Sequence, residues 1–203
     1  MSTLKRAALV GGMFLAALSL ASVAMGGDVK GKVAVQGLKS AGNIVVYVEA
    51  IPGKKFDPPS QHVTIDQRQM TFVPKLAVVL QGTTVDFLNS DSVAHNVYWP
   101  SVGGNKKLAH NLGTWPKGER KSFQFNDLGA ASLLCNVHPE MSGNVVVVPT
   151  PYFGVTDRDG VFEIKNVPPG TYTLKTWSED GKVTTQSVTV AAGTTDVELI
   201  VKK

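Results

Sequence analysis

The chain has 203 residues, with 20 Lys and Arg against 16 Asp and Glu, a formal charge of +4. So small an excess, with no basic block, argues against nucleic acid as a partner; Lys54-Lys55 and Lys106-Lys107 are isolated pairs that read as solvated loop charges. The single cysteine, Cys135, excludes an internal disulfide.

Residues 1–24 read as an export signal. Lys5 and Arg6 give the positive start, residues 7–21 are apolar, and Ser22-Val23-Ala24 supplies small residues at cleavage spacing. The apolar run is near the lower length limit for a bilayer span, so an uncleaved anchor is the alternative; no Cys follows it to carry a lipid. The expectation is a periplasmic protein with no membrane contact after cleavage. A lone thiol in such an oxidising compartment must be buried or metal-bound to escape oxidation, which makes Cys135 the first residue to explain.

Beyond the leader there is almost no helical periodicity. Short β-branched and aromatic runs follow one another at 32–35, 44–49, 76–80, 84–88, 122–125, 131–135, 144–148, 161–165, 171–177, 184–190 and 196–201, broken by Gly, Pro, Asn and Asp. This predicts an all-β sandwich fold. Two proline-rich breaks, at 52–60 and 149–151, enclose a segment of 61–148 that is the size of a small domain. That segment offers a complete sandwich by itself. The runs at 28–51 are then surplus to it, and 149–203 alone is too short to bury a comfortable core. The expected arrangement is a domain at 61–148 inserted into a second sandwich built from 28–51 and 149–203.

Cys135-Asn136-Val137-His138-Pro139-Glu140-Met141 sets three candidate ligands within seven residues, and His95 lies forty residues upstream. One thiolate, two imidazoles and a thioether make the ligand set of a blue-copper electron-transfer site. Zinc is disfavoured, because thioether is a poor zinc ligand and structural zinc sites usually carry two or more Cys. The predicted metal ligands are therefore His95, Cys135, His138 and Met141, holding one copper ion. His62 and His110 lack this context and are expected in packing or surface roles.

These residues resemble the cupredoxin family, in its amicyanin- and plastocyanin-like form. The resemblance rests on Met70-Thr71-Phe72-Val73-Pro74, on 81–89, on His95-Asn96-Val97 and on the short Cys135 to Met141 loop. It implies a Greek-key β-sandwich with His95, Cys135 and His138 in the equatorial plane and Met141 axial. It also implies that Asn96 ties the two ligand loops together and offers its N–H to the Cys135 sulfur. His138 would be the solvent-near ligand, with Pro139 and Trp99 in an apolar docking patch. Val137 stands where these proteins have proline, so it has an N–H that is expected to join Asn96 on the sulfur.

The C-terminal segment carries Thr156-Asp157-Arg158-Asp159-Gly160-Val161-Phe162 and later Pro168-Pro169-Gly170-Thr171-Tyr172. This resembles the carboxypeptidase regulatory-like, or transthyretin-like, β-sandwich. Asp159-Gly160 and Pro168-Pro169-Gly170 are turns; the acidic residues lack the remaining ligands of a calcium loop. No catalytic constellation is visible. Only His62 and His110 remain outside the ligand set, too few for a trinuclear copper cluster, so no enzyme is expected. The function that follows is a carrier of single electrons between redox partners, such as a periplasmic dehydrogenase and a cytochrome. Copper delivery is the alternative, although Met-rich and His-rich runs are missing.

Overall fold

The computed structural model describes residues 26–203; the candidate export signal at 1–24 lies outside them. Two strands come first, β1 (Gly27–Gln36) and β2 (Val45–Val48). Nine follow: β3 (Val63–Gln67), β4 (Phe72–Val73), β5 (Leu76–Leu80), β6 (Thr83–Asn89), β7 (His95–Trp99), β8 (His110–Trp115), β9 (Arg120–Phe125), β10 (Gly129–Leu134) and β11 (Ser142–Val148). Five close the chain: β12 (Phe153–Val155), β13 (Val161–Val167), β14 (Gly170–Trp177), β15 (Thr185–Val190) and β16 (Gly193–Lys202). The only helical element among the described residues is a 3-10 turn at Lys106–Leu108. The fold is all-β.

Four sheets result, in the orders β4-β3-β6-β9, β5-β11-β10-β7-β8, β13-β1-β16 and β12-β2-β14-β15. The first two face each other across one core, the last two across another. In sequence, the strands of the first sandwich run uninterrupted from β3 to β11. The second draws on both ends of the described chain. β1 runs parallel to β16 over its whole length, from Gly27 opposite Gly193 to Gln36 opposite Lys202, and antiparallel to β13. β2 pairs antiparallel with β12 and β14.

The alternation of side chains explains both cores. In β6 Val85 and Phe87 point inward, against Trp99, Trp115 and Phe125 of the first core. In β16 Val197, Leu199 and Val201 face the second core, while Glu198 and Lys202 face water.

β11 is buried on both faces, and its period of two divides its valines between two partners. Val145 and Val147 belong to the first core. Val146 and Val148 point the other way and pack with Val45, Tyr47, Phe153 and Trp177 of the β12-β2-β14-β15 sheet. β2 does the reverse: Val46 and Val48 enter the second core while Val45 turns to the seam. The four sheets are thus stacked, with an apolar layer between the two sandwiches. The connections between them lie side by side. Phe56 packs edge-on against Tyr152 at 5.7 Å. The buried Thr150 hydroxyl donates to the Val48 carbonyl at 2.7 Å, across 102 residues of chain.

Three strands were not expected. β4 is two residues long, β12 three, and β8 reads His-Asn-Leu-Gly-Thr-Trp, with Gly113 at a φ of 81°. Each is too short or too interrupted to show alternation. They are edge strands, held by their neighbours rather than by their own propensity.

An apolar seam of this kind joins the two sandwiches into one cooperative unit. Calorimetry should show a single unfolding transition for the whole chain. Val146→Asp, which buries an unpaired charge in the seam, should lower its midpoint and separate it into two. An unchanged single transition in that variant would contradict the seam.

Candidate metal centre

The site is built where three strands reach the same end of the first sandwich. β10 and β11 form an antiparallel hairpin whose last pair is Leu134 and Ser142. The seven residues from Cys135 to Met141 are therefore its loop. Cys135 is the first loop residue rather than the last of the strand, as β10 stops at Leu134. The loop closes on itself, with the Met141 N–H donating to the His138 carbonyl at 3.0 Å. β7 lies beside β10, Tyr98 opposite Leu134, and His95 is its first residue.

These placements bring His95, Cys135 and His138 together, with their ligand atoms all within 4.8 Å of one another. The two Nδ1 atoms of His95 and His138 face each other at 3.0 Å, and the rings stand 4.7 Å apart at 62°. His95 is 0% exposed and Cys135 is buried, whereas His138 is half-buried and reaches the surface. Met141 is buried in the apolar cluster that also contains Cys135. The donor chemistry fits copper: a sulfur and two imidazole nitrogens converge from two loops, with a thioether at the end of the same loop.

Asn96 links every part of this end. Its N–H donates to the Cys135 sulfur at 3.4 Å. Its side-chain carbonyl accepts from the Asn136 N–H at 3.2 Å. Its amide nitrogen donates to Asn111 Oδ1 and to the Gly113 carbonyl, each at 2.8 Å. The unexpected strand β8 is thus tied to both ligand loops.

Two expectations need correcting. Val137 sends no N–H to the Cys135 sulfur: among the described residues the hydrogen bond to that sulfur comes from Asn96, and Val137 is 47% exposed. Its freedom to donate is unused because the loop turns outward there. Trp99 cannot take part in docking. It is 1% exposed, its ring lies against Phe87, Phe123 and Phe125, and its N–H donates to the Leu108 carbonyl. With Trp115 it is one of the two largest fillers of the first core, as the inward phase of β7 requires. Pro139 is exposed on the loop.

His62 and His110 stay outside the cluster. His62 pairs with Asp86 at 3.0 Å, and the exposed His110 lies on the Trp99 and Phe123 rings. The residue that the sequence reading missed is Asp91, whose carboxylate meets His95 Nε2 at 2.9 Å. Its one signal is the spacing of four from His95, hidden in a stretch, Asn89-Ser90-Asp91-Ser92, that reads as an ordinary turn.

Residues 59–148 match the family model described as copper binding proteins, plastocyanin/azurin family. This segment has a cupredoxin-like fold. Residues 141–197 match a second family model, polysaccharide lyase family 4, domain II, which supports a further β domain without singling out the transthyretin-like kind. That match starts at Met141, just before β11, and omits β1 and β2, which complete the sandwich in space. Among solved structures, the reduced state of an amicyanin mutant is 23% identical, with 50% of this chain and 97% of the other covered at a TM-score of 0.40. The Cu(I) form of another amicyanin mutant is 23% identical over 52% and 98%, also at 0.40. An oxidised amicyanin mutant is 24% identical over 46% and 99%, at 0.39. No curated protein matches the chain.

Two carboxylates of the cupredoxin-like domain titrate below the usual range. For Asp86 burial pushes upward, but the Ser122 hydroxyl, His62 and Arg120 together outweigh it. For Asp91 burial likewise pushes upward, and the Met70 N–H, His95 and the Gln69 N–H outweigh it. A depressed folded-state value means stability that is complete above the unfolded carboxylate range, about pH 4, and is lost as pH falls through the folded value. Denaturant unfolding between pH 2 and 7 should therefore show an acid limb. In Asp86→Asn that limb should be shallower. A variant with the same acid dependence as the parent would exclude Asp86 as a contributor.

Proposed function

We propose that this protein is an exported mononuclear type 1 copper protein that carries single electrons between redox partners in the periplasm. The observation that carries the reading is the convergence of His95, Cys135 and His138 within a segment matched by a copper-binding family model. Together they support a copper-binding electron-transfer protein. His95, Cys135, His138 and Met141 would hold the ion, which when bound supplies one-electron chemistry between Cu(I) and Cu(II).

The remaining features serve that chemistry. The donors are already gathered by hydrogen bonds of the protein's own, so a change of oxidation state need move them little. The Asn96 N–H on the sulfur draws electron density from the thiolate and favours the reduced ion. His138 has an edge at the surface, where a partner can approach closely. Around that end the exposed Pro139 and Val137 are joined by Val93, 44% exposed, and Met70, 48% exposed, on the loops that hold His95. This set replaces Trp99 as the apolar docking patch for a redox donor and acceptor. Catalysis is not part of the proposal, since His62 and His110 are engaged elsewhere.

Titration with Cu(II) followed by visible spectroscopy tests the reading. A complex of one copper per chain, intensely blue and reversibly reduced, is expected. Cys135→Ser should bleach it while leaving the fold, because the colour is thiolate-to-copper charge transfer. Colourless, rapidly exchanging Cu(I) would instead indicate copper delivery and overturn the carrier.

A further inference from the structure

We propose that Asp91 is a positioning residue that fixes the ring and the tautomer of His95 and anchors it to the β3–β4 hairpin. The proposal rests on the reading of His95 as a copper ligand, and it concerns a residue outside the ligand set.

The chain from β6 to β7 is held from within. Asn89, itself buried, donates from its amide to the carbonyls of Val93 at 2.8 Å and Trp115 at 3.0 Å. Its side-chain carbonyl accepts from the Asp91 N–H at 2.9 Å. This sets Asp91 four residues before His95 and at its outer side, with Oδ2 at 2.9 Å from Nε2. A carboxylate only accepts hydrogen bonds. Asp91 already accepts the N–H groups of Gln69 and Met70, one on each oxygen, so it faces the ring as an acceptor. The proton of the ring must then sit on Nε2, which leaves the Nδ1 lone pair to point at Cys135 and His138. A second-sphere carboxylate commonly orients a ligating imidazole in this way.

The other end of Asp91 is equally engaged. Gln69 and Met70 form the two-residue turn between β3 and β4, closed by reciprocal bonds between Arg68 and Thr71 at 3.0 and 3.2 Å. Both have positive φ, 54° and 53°, as a type I′ turn demands, and neither is the Gly or Asn that such turns favour. Their N–H groups converge on Asp91, Gln69 on Oδ1 at 2.6 Å and Met70 on Oδ2 at 2.8 Å. The carboxylate therefore supports a left-handed turn made from unfavourable residues. The same Oδ2 serves Met70 and His95, so a displacement of the hairpin tip is felt at the ring.

Nitrogen NMR of the metal-free full chain is the first test, because it reads the tautomer without copper. His95 should be protonated on Nε2. In Asp91→Ala the ring should become a mixture of tautomers, and the affinity for Cu(I), measured against a chromogenic chelator, should fall by roughly 10–100-fold. Asp91→Asn keeps one oxygen to accept from Nε2 and should restore the tautomer and most of the affinity. A parent protein protonated on Nδ1 would overturn the proposal even if no variant folds. So would an Asp91→Ala protein with unaltered tautomer and affinity. A parent that takes up no copper yet shows the expected tautomer would refute the copper reading and leave the positioning role standing.

Discussion

The Asn96 side chain and backbone are the point on which the metal end depends. A buried amide must satisfy its donors and acceptor or cost the domain stability. Asn96 does so by joining three separate pieces of chain: the Cys135 loop through Asn136 and the sulfur, β8 through Asn111 and Gly113, and its own strand beside His95. Cys135 and His95 therefore approach each other for reasons internal to the protein. The cluster is preformed, and preformation is what a one-electron site requires, since donors that do not move add little to the barrier.

The scaffold beneath this end is stiff for a different reason. β11 begins where the ligand loop ends, and its valines, buried on both faces, are divided between the first core and the seam. The loop is thus rooted in the most buried part of the molecule. The second sandwich backs the β5-β11-β10-β7-β8 sheet on its outer face, the sheet that carries the candidate ligands. Two connections hold the pair, packed against each other at Phe56 and Tyr152, so the domain cannot swing as it would on a single tether.

Much of this was legible in the sequence because it is written in strong local signals. The valines of 144–148, the ligand loop and the two proline-rich breaks each announce themselves. Counting strands without a nearby partner led to the expectation that 28–51 and 149–203 share one sandwich; the parallel pairing of β1 with β16 was not foreseen. What stayed hidden depends on tertiary placement. Trp99 looks like a surface aromatic beside a ligand, but the inward phase of β7 takes it into the core. Val137 has a free N–H whose direction only the loop's course decides. β8 contains Asn and Gly because it is an edge strand bound to Asn96. Asp91 is unremarkable until the hairpin at Gln69-Met70 is folded over it.

The central claim is that one copper ion is held by His95, Cys135, His138 and Met141. X-ray absorption at the copper edge, on the copper-loaded full chain, tests it most directly. The account predicts one short thiolate sulfur and two imidazole nitrogens around the metal, with the sulfur contribution lost in Cys135→Ser. A shell of nitrogen and oxygen alone in the parent protein would contradict it, as would a sulfur contribution that survives the substitution.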